Sequence, residues 1–577
     1  MRSKEEQMCK RYFPTTIPET LFSCVKRNPN RIAIDFLGKK YTYNELFDNS
    51  LLYARIINSC AKKTNTGTNN IALLMPNIPQ FVFGYYGALT AGYTVVPINF
   101  SSIAKELKTM PVKNIKVTEE MVAQIVDSKP RVLIATDFFW PMLEQVKDAL
   151  RDTVVILTGV QDCLPFPLSV LYPVKARKEG KWVKVKDESV FFLKDLAKEY
   201  AGFARTRIAH LRLDDVAQIQ YTGGTTGVPK GAMLSHENVI ANTWQCRKHL
   251  GSLIDDGETM LGVLPFFHIY GLTICMNITL LSLGGTLVLL PAFSPEHVAR
   301  TIQKKKVTVF PGVNRMFQTI SELPNIGKYD MSSLKLCCSG AGPLPIKVKE
   351  GFEKATGATL VEGYGLSEAS PVVSLTLPTE NKPGSIGRPL PLTQVKLVDI
   401  ETGNEITGPF VDGEIVVRGP QVMVGYYHKE QETSDVLKDG WLRTGDIGRR
   451  DADGFLSITD RQKDMFTVCG ENVFCKNIED YIMQCPSVKK CVVIGVPDDK
   501  TGEAPIVFAV VDSKAGSEQN LNRHIENIPN KVMRPREIIL VGAETFEQWE
   551  DILGKIKRRK IKDYYQTIGT IRIITKQ

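Results

Sequence analysis

The sequence contains the stretch Tyr221-Thr222-Gly223-Gly224-Thr225-Thr226-Gly227-Val228-Pro229-Lys230-Gly231, which holds four glycines, three threonines and one lysine. Because glycine adopts positive φ at little cost and lets the backbone approach a ligand closely, such a loop can turn several N–H groups toward one anion. Lys230 adds a positive charge. The composition therefore favours a phosphate-binding loop, and a glycine-rich surface turn is the alternative.

The residues on both sides of this loop have the pattern of regular structure. Residues 217–221 alternate apolar and polar side chains, which is typical of a half-buried strand, and Ser235 is placed to cap a helix that begins near His236. A P-loop NTPase would need Gly-Lys-Ser/Thr, with a hydroxyl beside the lysine for magnesium. Here proline precedes the lysine and glycine follows it, so the stretch departs from that motif.

Length and composition indicate a globular protein with more than one domain. The 577 residues exceed the size at which one core keeps growing, and 43% hydrophobic and 23% charged content is ordinary for soluble proteins. The 72 basic and 63 acidic residues give 72 − 63 = +9. This mild excess fits anionic substrates and does not require a nucleic-acid partner.

The cysteines and the hydrophobic runs bear on the compartment. None of the twelve cysteines forms a Cys-x-x-Cys or a Cys/His set with zinc spacing, so we expect reduced thiols, mostly in the core. The amino terminus has no apolar signal core. The most hydrophobic run, 272–293, is broken by Asn277, two glycines and Pro291, which favours a buried helix and strand over a membrane span. We expect a cytoplasmic protein without a transmembrane segment.

The organisation along the chain predicts an α/β fold. Between residues 30 and 400, short apolar runs alternate with longer amphipathic stretches, which is typical of α/β layers with parallel strands. From about 385 to 460, glycine-rich turns bracket short strands at 395–398 and 414–418 and predict a small β-rich subdomain. We therefore expect a large N-terminal domain, 1–460, with layered α/β subdomains, and a small α+β C-terminal domain, 461–577.

Residues 164–186 combine an apolar, proline-broken segment with a basic strip. Residues 164–172 are apolar, and six basic residues surround Trp182: Lys175, Arg177, Lys178, Lys181, Lys184 and Lys186. The preferred interpretation is an insertion packed on its own domain with a solvated charged rim. Peripheral contact with anionic lipid is the alternative hypothesis.

Further motifs follow the glycine-rich loop in order. They are Leu264-Pro265-Phe266-Phe267-His268-Ile269-Tyr270-Gly271, Cys338-Ser339-Gly340-Ala341-Gly342-Pro343-Leu344, Glu362-Gly363-Tyr364-Gly365-Leu366-Ser367-Glu368, Asp439-Gly440-Trp441-Leu442-Arg443-Thr444-Gly445-Asp446, Asp460-Arg461-Gln462-Lys463-Asp464, Gly470-Glu471-Asn472-Val473 and Leu553-Gly554-Lys555-Ile556-Lys557-Arg558. This series, which covers most of the chain, resembles the adenylate-forming superfamily of acyl-CoA synthetases, luciferases and peptide synthetase adenylation domains. It looks most like bacterial-type medium- or long-chain fatty acyl-CoA synthetases.

The resemblance implies a site for ATP and Mg²⁺. The loop residues that it assigns to the nucleotide are Thr222, Gly223, Gly224, Thr225, Thr226, Gly227 and Lys230. Glu368 offers the hard oxygen ligand that magnesium on a triphosphate requires, and Thr226 is the second implied metal ligand. Ser367 stands where the family usually has threonine, and it keeps the hydroxyl.

The same resemblance places the adenosine. It assigns Ser339, Gly340, Ala341, Glu362, Gly363, Tyr364, Gly365 and Ser367 to nucleotide binding. Tyr364 offers a flat face to a purine. Asp446 has the lone pairs to accept hydrogen bonds from both ribose hydroxyls, with Arg461 as its partner.

Two half-reactions are implied, with a mobile C-terminal domain between them. Lys463 is the expected hinge residue, and the loop at Gly470 and Glu471 would help admit the thiol after rotation. Cys475 replaces the proline usual in that motif. Lys555 is the implied catalytic lysine, although residues 547–553 depart from the family's lead-in and residues 555–562 could be a solvated basic helix face.

The implied reaction is ATP-dependent conversion of a fatty acid to acyl-AMP and transfer of the acyl group to CoA. His268 would lie near the acyl carboxylate, and a packed core histidine is the alternative. Residues 266–272 are apolar apart from His268 and Tyr270, whereas amino-acid adenylating domains place an aspartate near their substrate. This favours a plain carboxylic acid. A fatty acyl-AMP ligase, an aryl-CoA ligase and a non-catalytic nucleotide-binding regulator or scaffold remain as alternatives.

Overall fold

The computed structural model describes residues 15–202, 207–222, 229–512, 517–550 and 554–575. These residues fall into two compact units. Unit 1 comprises the described part of Met1–Gln394 together with Arg418–Leu442, and unit 2 comprises Val395–Val417 together with the described part of Arg443–Gln577. The chain therefore passes from one unit to the other three times, and the division at residue 460 into a fixed and a mobile domain stays a prediction.

The helices of unit 1 pack around two sheets. They are α1 Ile17–Arg27, α2 Tyr43–Ala61, α3 Pro79–Thr90, α4 Glu106–Thr109, α5 Glu119–Ser128, α6 Trp140–Leu143, α7 Leu168–Lys178, α8 Leu193–Tyr200, α9 His236–Leu250, α10 Tyr270–Leu283, α11 Pro295–Lys305, α12 Asn314–Ser321, α13 Ile346–Thr356 and α14 Glu430–Val436. The predicted cap is confirmed, because the Ser235 side chain accepts a hydrogen bond from the Asn238 N–H at the start of α9.

One sheet of unit 1 has nine strands in the order β16-β15-β14-β13-β12-β10-β11-β1-β2. Its strands are β1 Ile32–Phe36, β2 Lys39–Thr42, β10 Thr259–Gly262, β11 Thr286–Leu289, β12 Val309–Gly312, β13 Leu336–Ser339, β14 Leu360–Gly365, β15 Val372–Leu375 and β16 Arg388–Pro389. The pairs from β1 through β11, β10, β12 and β13 to β14 are parallel. The hydrophobic run 272–293 forms the buried helix α10 and strand β11, as predicted.

The other sheet of unit 1 has eight strands in the order β20-β9-β8-β4-β3-β5-β6-β7. Its strands are β3 Asn70–Leu74, β4 Thr94–Pro97, β5 Val132–Thr136, β6 Val154–Thr158, β7 Phe191–Phe192, β8 Val216–Thr222, β9 Lys230–Ser235 and β20 Gly425–Tyr426. The strand predicted at 217–221 is present, but all five residues are buried rather than half-buried. A central strand has both faces covered, so polar side chains such as Gln218 are buried with the apolar ones.

Unit 2 contains a small β-rich part and an α+β part. The first has the strand order β18-β17-β19-β22 with β23 paired to β22: β17 Gln394–Val398, β18 Glu405–Ile406, β19 Gly413–Arg418, β22 Trp441–Arg450 and β23 Leu456–Arg461. β21 Leu437–Lys438, which lies in unit 1, pairs with Trp441 and Leu442 at the beginning of β22, and these two residues also lie in unit 1. The strands predicted at 395–398 and 414–418 are thus confirmed.

The α+β part of unit 2 has the strand order β25-β24-β27-β26 with β28 paired to β27. The strands are β24 Met465–Val468, β25 Glu471–Phe474, β26 Val488–Asp498, β27 Gly502–Val511 and β28 Glu537–Leu540, and the helices are α15 Cys475–Ile482, α16 Ser517–Glu526, α17 Ala543–Glu547 and α18 Arg558–Thr575. One core lies between α15, α16 and the sheet, and a second holds Phe508, Phe546 and Trp549. The α/β fold class predicted from the sequence is confirmed.

The cysteines lie mostly in the core, as the sequence predicted. Eleven cysteines lie in the described residues, all are free thiols, and eight of them are buried. None of the helices in the described ranges combines the length and the apolar content that crossing a bilayer requires.

Candidate functional site

The ends of the glycine-rich loop are fixed by an antiparallel strand pair. Thr222 at the end of β8 lies opposite Lys230 at the start of β9, and the Thr222 hydroxyl donates a 3.4 Å hydrogen bond to the Lys230 carbonyl. The loop residues Gly223, Gly224, Thr225, Thr226 and Gly227 lie outside the described residues, so their assigned roles stay predictions. The strand pair nevertheless shows that this loop connects two β-strands, with the predicted helix following the second one.

Glu368, Tyr426 and Lys230 form a group in unit 1 that we call the Glu368 cluster. The Tyr426 hydroxyl donates a 2.7 Å hydrogen bond to Glu368 Oε1, and Lys230 Nζ lies 5.4 Å from the centre of the Tyr426 ring. Pairing of β20 with β9 places Tyr426 opposite Ala232. Burial, and then the Glu368 carboxylate, raise the pKa of Tyr426, so its hydroxyl keeps the proton that it donates.

The donor set around Glu368 fits a magnesium ion that is held mainly by phosphate. Mg²⁺ on a nucleotide keeps several waters and takes one or two protein carboxylates together with phosphate oxygens. The described residues contain no group of three or more His, Cys, Asp or Glu side chains that could hold a metal alone. One carboxylate, oriented by the hydroxyl of a tyrosine whose ring also faces a lysine ammonium, suits that shared coordination.

The segment predicted to line the adenine follows the end of β13. Ser339 is the last residue of this strand, and its buried Oγ has no hydrogen-bond partner within the described ranges. Gly340 lies against Tyr270, because a Cβ at this position would come within 3.0 Å of the tyrosine ring. Ala341 has a φ of 64° and is exposed, which turns the chain sharply away from the sheet. Ser339 to Ala341 thus sit where a parallel strand ends, the usual position for ligands in such sheets.

β14 carries the next predicted residues. Its first half holds a neighbouring turn, and its second half presents Tyr364. Glu362 is buried, and its carboxylate accepts a 3.0 Å hydrogen bond from the Leu344 N–H, so this side chain holds the turn after β13. Gly363 and Tyr364 are half-buried, as is Ser367 in the turn that follows, while Gly365 passes so close to Pro371 that a Cβ would lie 2.2 Å from its carbonyl oxygen. The strand therefore needs glycine at 365 for packing, and it presents Tyr364 beside a fixed turn.

The backbone just before His268 is held by two polar side chains, one from the loop before α3 and one from β8. Asn77 accepts a 3.0 Å hydrogen bond from the Phe266 N–H and donates to the Gly262 and Leu264 carbonyls. Gln220 on β8 donates a 2.5 Å hydrogen bond to the Phe267 carbonyl. His268 itself is half-buried, with its ring centre 4.8 Å from that of Phe267. The backbone around His268 is therefore tied directly to the strand that leads into the glycine-rich loop.

In unit 2, the predicted pairing of Asp446 with Arg461 is present. The two residues lie opposite each other in β22 and β23, and Arg461 Nε is 2.9 Å from Asp446 Oδ1. Asp446 is buried, and the Arg461 side chain is about one-third exposed. Thr444 accepts a 3.1 Å hydrogen bond from the Asp446 N–H. The carboxylate is thus fixed in direction, and its ribose role stays a prediction.

The predicted hinge lies in a tight turn after β23. Lys463 is the exposed middle residue of a 3₁₀ turn, Gln462–Asp464. The Cys475 thiol donates a 2.8 Å hydrogen bond to the Asp464 carbonyl. Asp460, whose pKa is raised by burial, accepts hydrogen bonds from the Arg461 and Lys476 N–H groups. The cysteine that replaces the family's proline therefore adds a bond from α15 to the hinge turn.

The predicted thiol-admitting loop is a two-residue hairpin turn between β24 and β25. Cys469 and Gly470 have φ values of 51° and 83°, and positive φ at both central positions is the pattern of a type I′ turn. Glu471, the first residue of β25, is exposed. The turn is therefore compact, and Gly470 supplies the conformation that it requires.

Gly554 to Arg558, which we call the Lys555 segment, is held by neighbours on both sides. Lys555 is exposed. The Lys557 N–H donates to the Trp549 carbonyl at 2.8 Å, and Trp549 packs against Phe508 with ring centres 5.3 Å apart. Leu553, which departs from the family's motif, lies outside the described residues.

Arg558 anchors the other end of the Lys555 segment. Its guanidinium lies 3.0 Å from Asp464 and 2.6 Å from Glu479, and it donates to the Val493 carbonyl. All three side chains are less than one-fifth exposed. Arg558 therefore links the residue after Lys463 to the segment that carries Lys555, within unit 2.

Four residues that position the site were not predicted from the sequence: Asn77, Tyr426, Trp549 and Arg558. Tyr426 and Asn77 make their contacts with residues 58 and 189 positions away in the chain. Arg558 stands inside the quoted basic run, and only its burial separates it from the exposed lysines around it. A local pattern carries no signal for such distant contacts.

Comparisons with known proteins find relatives over most of this chain. Residues 21–427 match the AMP-binding enzyme family, and residues 477–545 match the AMP-binding enzyme C-terminal domain. A long-chain-fatty-acid–CoA ligase of Bacillus subtilis is 36% identical over 551 residues, 95% of this chain and 94% of that protein. A protein of the same name from Escherichia coli O157:H7 is also 36% identical, over 93% of this chain and 92% of its own length.

The fold agrees as well. The structure of ATP-bound MatB from Rhodopseudomonas palustris superposes with a TM-score of 0.80 at 24% identity and covers 96% of this chain and 99% of that one. The family match extends over more than half of the 577 residues, and the curated relatives align over nearly the whole chain. The chain belongs to the AMP-binding enzyme family.

Proposed function

We propose that the protein is an AMP-forming fatty acid–CoA ligase. It activates a long- or medium-chain fatty acid with ATP to acyl-AMP and transfers the acyl group to CoA, with release of pyrophosphate and then AMP. The observation that carries this proposal is the alignment, at 36% identity over 95% of the chain, with a curated long-chain-fatty-acid–CoA ligase. The apolar surroundings of His268 support a plain carboxylic acid as the substrate.

Activation is needed because a carboxylate is a poor acyl donor. When its oxygen attacks the α-phosphorus of ATP, negative charge builds on the phosphate oxygens and on the departing pyrophosphate. We assign Lys230, the threonine-rich loop and Lys555 to that charge, since preorganised cations and N–H donors stabilise it most where water is excluded. Mg²⁺ would supply further neutralisation of the phosphate charge, with Glu368 and Thr226 as its proposed ligands.

The remaining assignments concern binding and orientation. Asp446, fixed by Arg461 at 2.9 Å, is proposed to accept the ribose hydroxyls. Ser339, Gly340, Ala341, Tyr364 and Gly365 are proposed to line the adenine. His268 is proposed to orient the acyl carboxylate, because its backbone is held by Asn77 and Gln220. Lys463 and the turn at Gly470 are proposed to act in the step that admits the CoA thiol.

A pyrophosphate-release assay with ATP and Mg²⁺ tests this proposal. The purified full chain is offered saturated fatty acids of increasing length and an aromatic carboxylic acid, with and without CoA, and the acyl product is identified by mass spectrometry. We expect pyrophosphate release that depends on the fatty acid, and acyl-CoA as the product. Glu368→Gln should lose this activity, while Lys354→Gln, an exposed lysine at the end of α13, should keep it.

Each rival function has its own outcome in that assay. Acyl-AMP that accumulates without a thioester would indicate a fatty acyl-AMP ligase. Preference for the aromatic acid would indicate an aryl-CoA ligase. If no acid leads to pyrophosphate release, the protein is a non-catalytic nucleotide-binding regulator or scaffold, and the proposal is wrong.

A further inference from the structure

Helix α7 and the residues before it expose an unusual amount of apolar surface. The exposed fractions are 84% for Phe166, 42% for Leu168, 63% for Val170, 56% for Leu171 and 50% for Val174. These five side chains, which we call the α7 face, are five of the thirteen exposed large hydrophobic side chains in the described ranges, and they fall within nine consecutive residues. Single exposed apolar residues are normal, but a cluster of this kind marks an interaction site.

The α7 face lies on one side of its helix. At 100° per residue, Leu168, Val170, Leu171 and Val174 fall on one half of α7, and buried Ala176 falls on the other. The Ala176 side packs on the rest of the protein, as the preferred interpretation of this insertion expects. The opposite side is exposed among the residues that the structure describes.

Contacts at both ends of α7 hold the helix in place, so the exposed apolar side chains belong to a folded element. Cys163 and Leu164 are buried just before it. At the other end, the Lys181 and Trp182 N–H groups both donate to the Ala176 carbonyl, at 2.7 and 3.1 Å, and the Arg177 guanidinium lies 4.8 Å from the centre of the Trp182 ring. These contacts fix the backbone of the helix that carries the apolar side chains.

Basic side chains surround the α7 face. Residues 164–186 contain six basic residues and one acidic residue, so their net charge is 6 − 1 = +5. Lys175, Lys178 and Lys184 are exposed, and Lys175 and Lys178 fall on the same half of the helix as the apolar residues. The ion pairs of Lys175 and Lys181 with Glu179, at 3.7 and 3.2 Å, leave the excess of positive charge in place.

An apolar centre with a cationic rim is complementary to an anionic lipid surface. The surface of an anionic bilayer attracts lysine and arginine, and the headgroup boundary accepts apolar side chains next to them. We propose that the α7 face docks unit 1 onto an anionic lipid surface, with Phe166, Val170, Leu171 and Val174 entering the headgroup boundary. Such docking would place the enzyme where a fatty acid partitions, and in that respect the proposal draws on the proposed function.

Vesicle sedimentation with the full chain tests the docking without any substrate. The probes are vesicles of phosphatidylcholine alone and of phosphatidylcholine mixed with phosphatidylglycerol, each at low and high salt. We expect binding to the anionic vesicles at low salt, release at high salt, and little binding to the neutral vesicles. Because neither ATP nor fatty acid is present, failure of the docking and failure of the ligase activity are separate results.

Matched variants assign the binding to the α7 face. Val170→Glu should weaken the affinity for anionic vesicles by about tenfold or more, whereas Val126→Glu, an exposed valine on α5, should leave it unchanged. Lys178→Gln should weaken binding several-fold and Lys354→Gln should not, which separates a local effect from the overall charge of +9. Val170 and Lys178 are exposed, so the thermal midpoints of their variants should match the wild type.

Three outcomes would overturn the proposal. The first is wild-type protein that stays in the supernatant with anionic vesicles at low salt. The second is equal vesicle binding by Val170→Glu and the wild type. The third is a dimer in light scattering that Val170→Glu converts to monomer, without vesicle binding, which would assign the face to a second copy of the chain.

Discussion

The Glu368 cluster in unit 1 and the Lys555 segment in unit 2 are held in place by different means. Glu368, Tyr426 and Lys230 stand at or next to the ends of strands, and backbone pairing such as that of β20 with β9 fixes their positions. Lys555 stands between Gly554 and α18, where the backbone makes only a single bridge, Glu550 with Ile556, and the bond from the Lys557 N–H to the Trp549 carbonyl, while the Arg558 side chain holds the far end. Backbone pairing between strands persists when a side chain is replaced, whereas the contacts of a single arginine are lost when that arginine is replaced.

The largest effect is therefore expected at Arg558. Arg558→Ala leaves the half-buried carboxylates of Asp464 and Glu479 without their shared cation, which should lower the free energy of unfolding of unit 2 by up to about 3–5 kcal/mol, the range for a fully buried pair. Burial already raises the pKa of Glu479 while Arg558 lowers it, so the variant's glutamate should bind a proton more readily. Denaturant unfolding and hydrogen exchange in 475–498 measure the change.

The neighbouring Arg559 supplies the control for that experiment. It is exposed, so Arg559→Ala should change the stability by less than about 0.5 kcal/mol. If the two alanine variants unfold alike, the Lys555 segment does not depend on the arginine anchor, and the contrast between the two regions fails.

The next largest effect concerns catalysis by Lys555. Lys555→Ala should lower the rate of acyl-adenylate formation by about 10²–10³-fold, because a cation that stabilises charge on the phosphates is lost. It should largely spare thioester formation from supplied acyl-AMP and CoA, since that step involves no triphosphate and no departing pyrophosphate, which carry the charge that Lys555 is proposed to stabilise. Single-turnover measurements of the two half-reactions test this, with Lys560→Ala in the same basic run as the control. Equal losses in both half-reactions would remove Lys555 from this role.

A smaller effect is expected for a change at Tyr426, because the strand pairing that positions this residue stays intact. Tyr426→Phe removes only the hydroxyl that donates to Glu368 at 2.7 Å, and outer-shell partners of this kind typically contribute 10–100-fold to metal affinity or activity. We expect the Mg²⁺ concentration for half-maximal activity to rise by about tenfold, with the fold unchanged. Tyr427→Phe is the matched control, because Tyr427 interacts with Asn70 instead. An unchanged Mg²⁺ requirement would show that Tyr426 does not orient the carboxylate.

The smallest expected effect is a loss of folding stability of unit 1 as the pH falls. His236, the first residue of α9, accepts a 3.3 Å hydrogen bond from the Ile17 N–H, and burial lowers its pKa from 6.5 to about 4. Between these two values the unfolded chain binds a proton that the folded chain does not. Stability is therefore fully present well above pH 6.5 and falls as the pH drops toward 4, by about 1 kcal/mol at pH 6.

Unfolding measured from neutral pH to about pH 5 tests this acid effect. His236→Gln should flatten the pH dependence in that range, while His210→Gln, an exposed histidine, should leave it as in the wild type. The same slope in all three proteins would mean that other groups set the acid sensitivity of unit 1.

The sequence predicted the parts of this molecule that have local patterns. Apolar runs predicted the strands and the buried helix α10, and the order of the motifs predicted the Asp446–Arg461 pair that the structure contains. The metal-binding role of Glu368 and the hinge at Lys463 stay predictions. One local interpretation failed: the alternation at 217–221 indicated a half-buried strand, but neighbours on both faces bury every residue of it. Alternation of apolar and polar residues predicts a strand, but it does not show whether neighbouring elements cover the polar face of that strand.

The parts that were missed depend on contacts between distant positions. Nothing near Tyr426 in the sequence indicates a bond to Glu368, and nothing near Asn77 indicates that it holds the backbone before His268. Arg558 resembles its basic neighbours until folding buries it between two carboxylates. The strand ends could thus be predicted by pattern, whereas the side chains that orient the site appear only once the chain is folded.

The hairpin turn at Cys469 and Gly470 offers a practical route to observing hinge motion. Among the eleven cysteines that the structure describes, Cys469 alone is exposed, and it sits at the tip of a rigid two-residue turn. A maleimide dye should therefore modify this thiol in preference to the buried ones. Changes in its fluorescence on mixing with ATP and fatty acid would report in real time whether the C-terminal part moves during turnover.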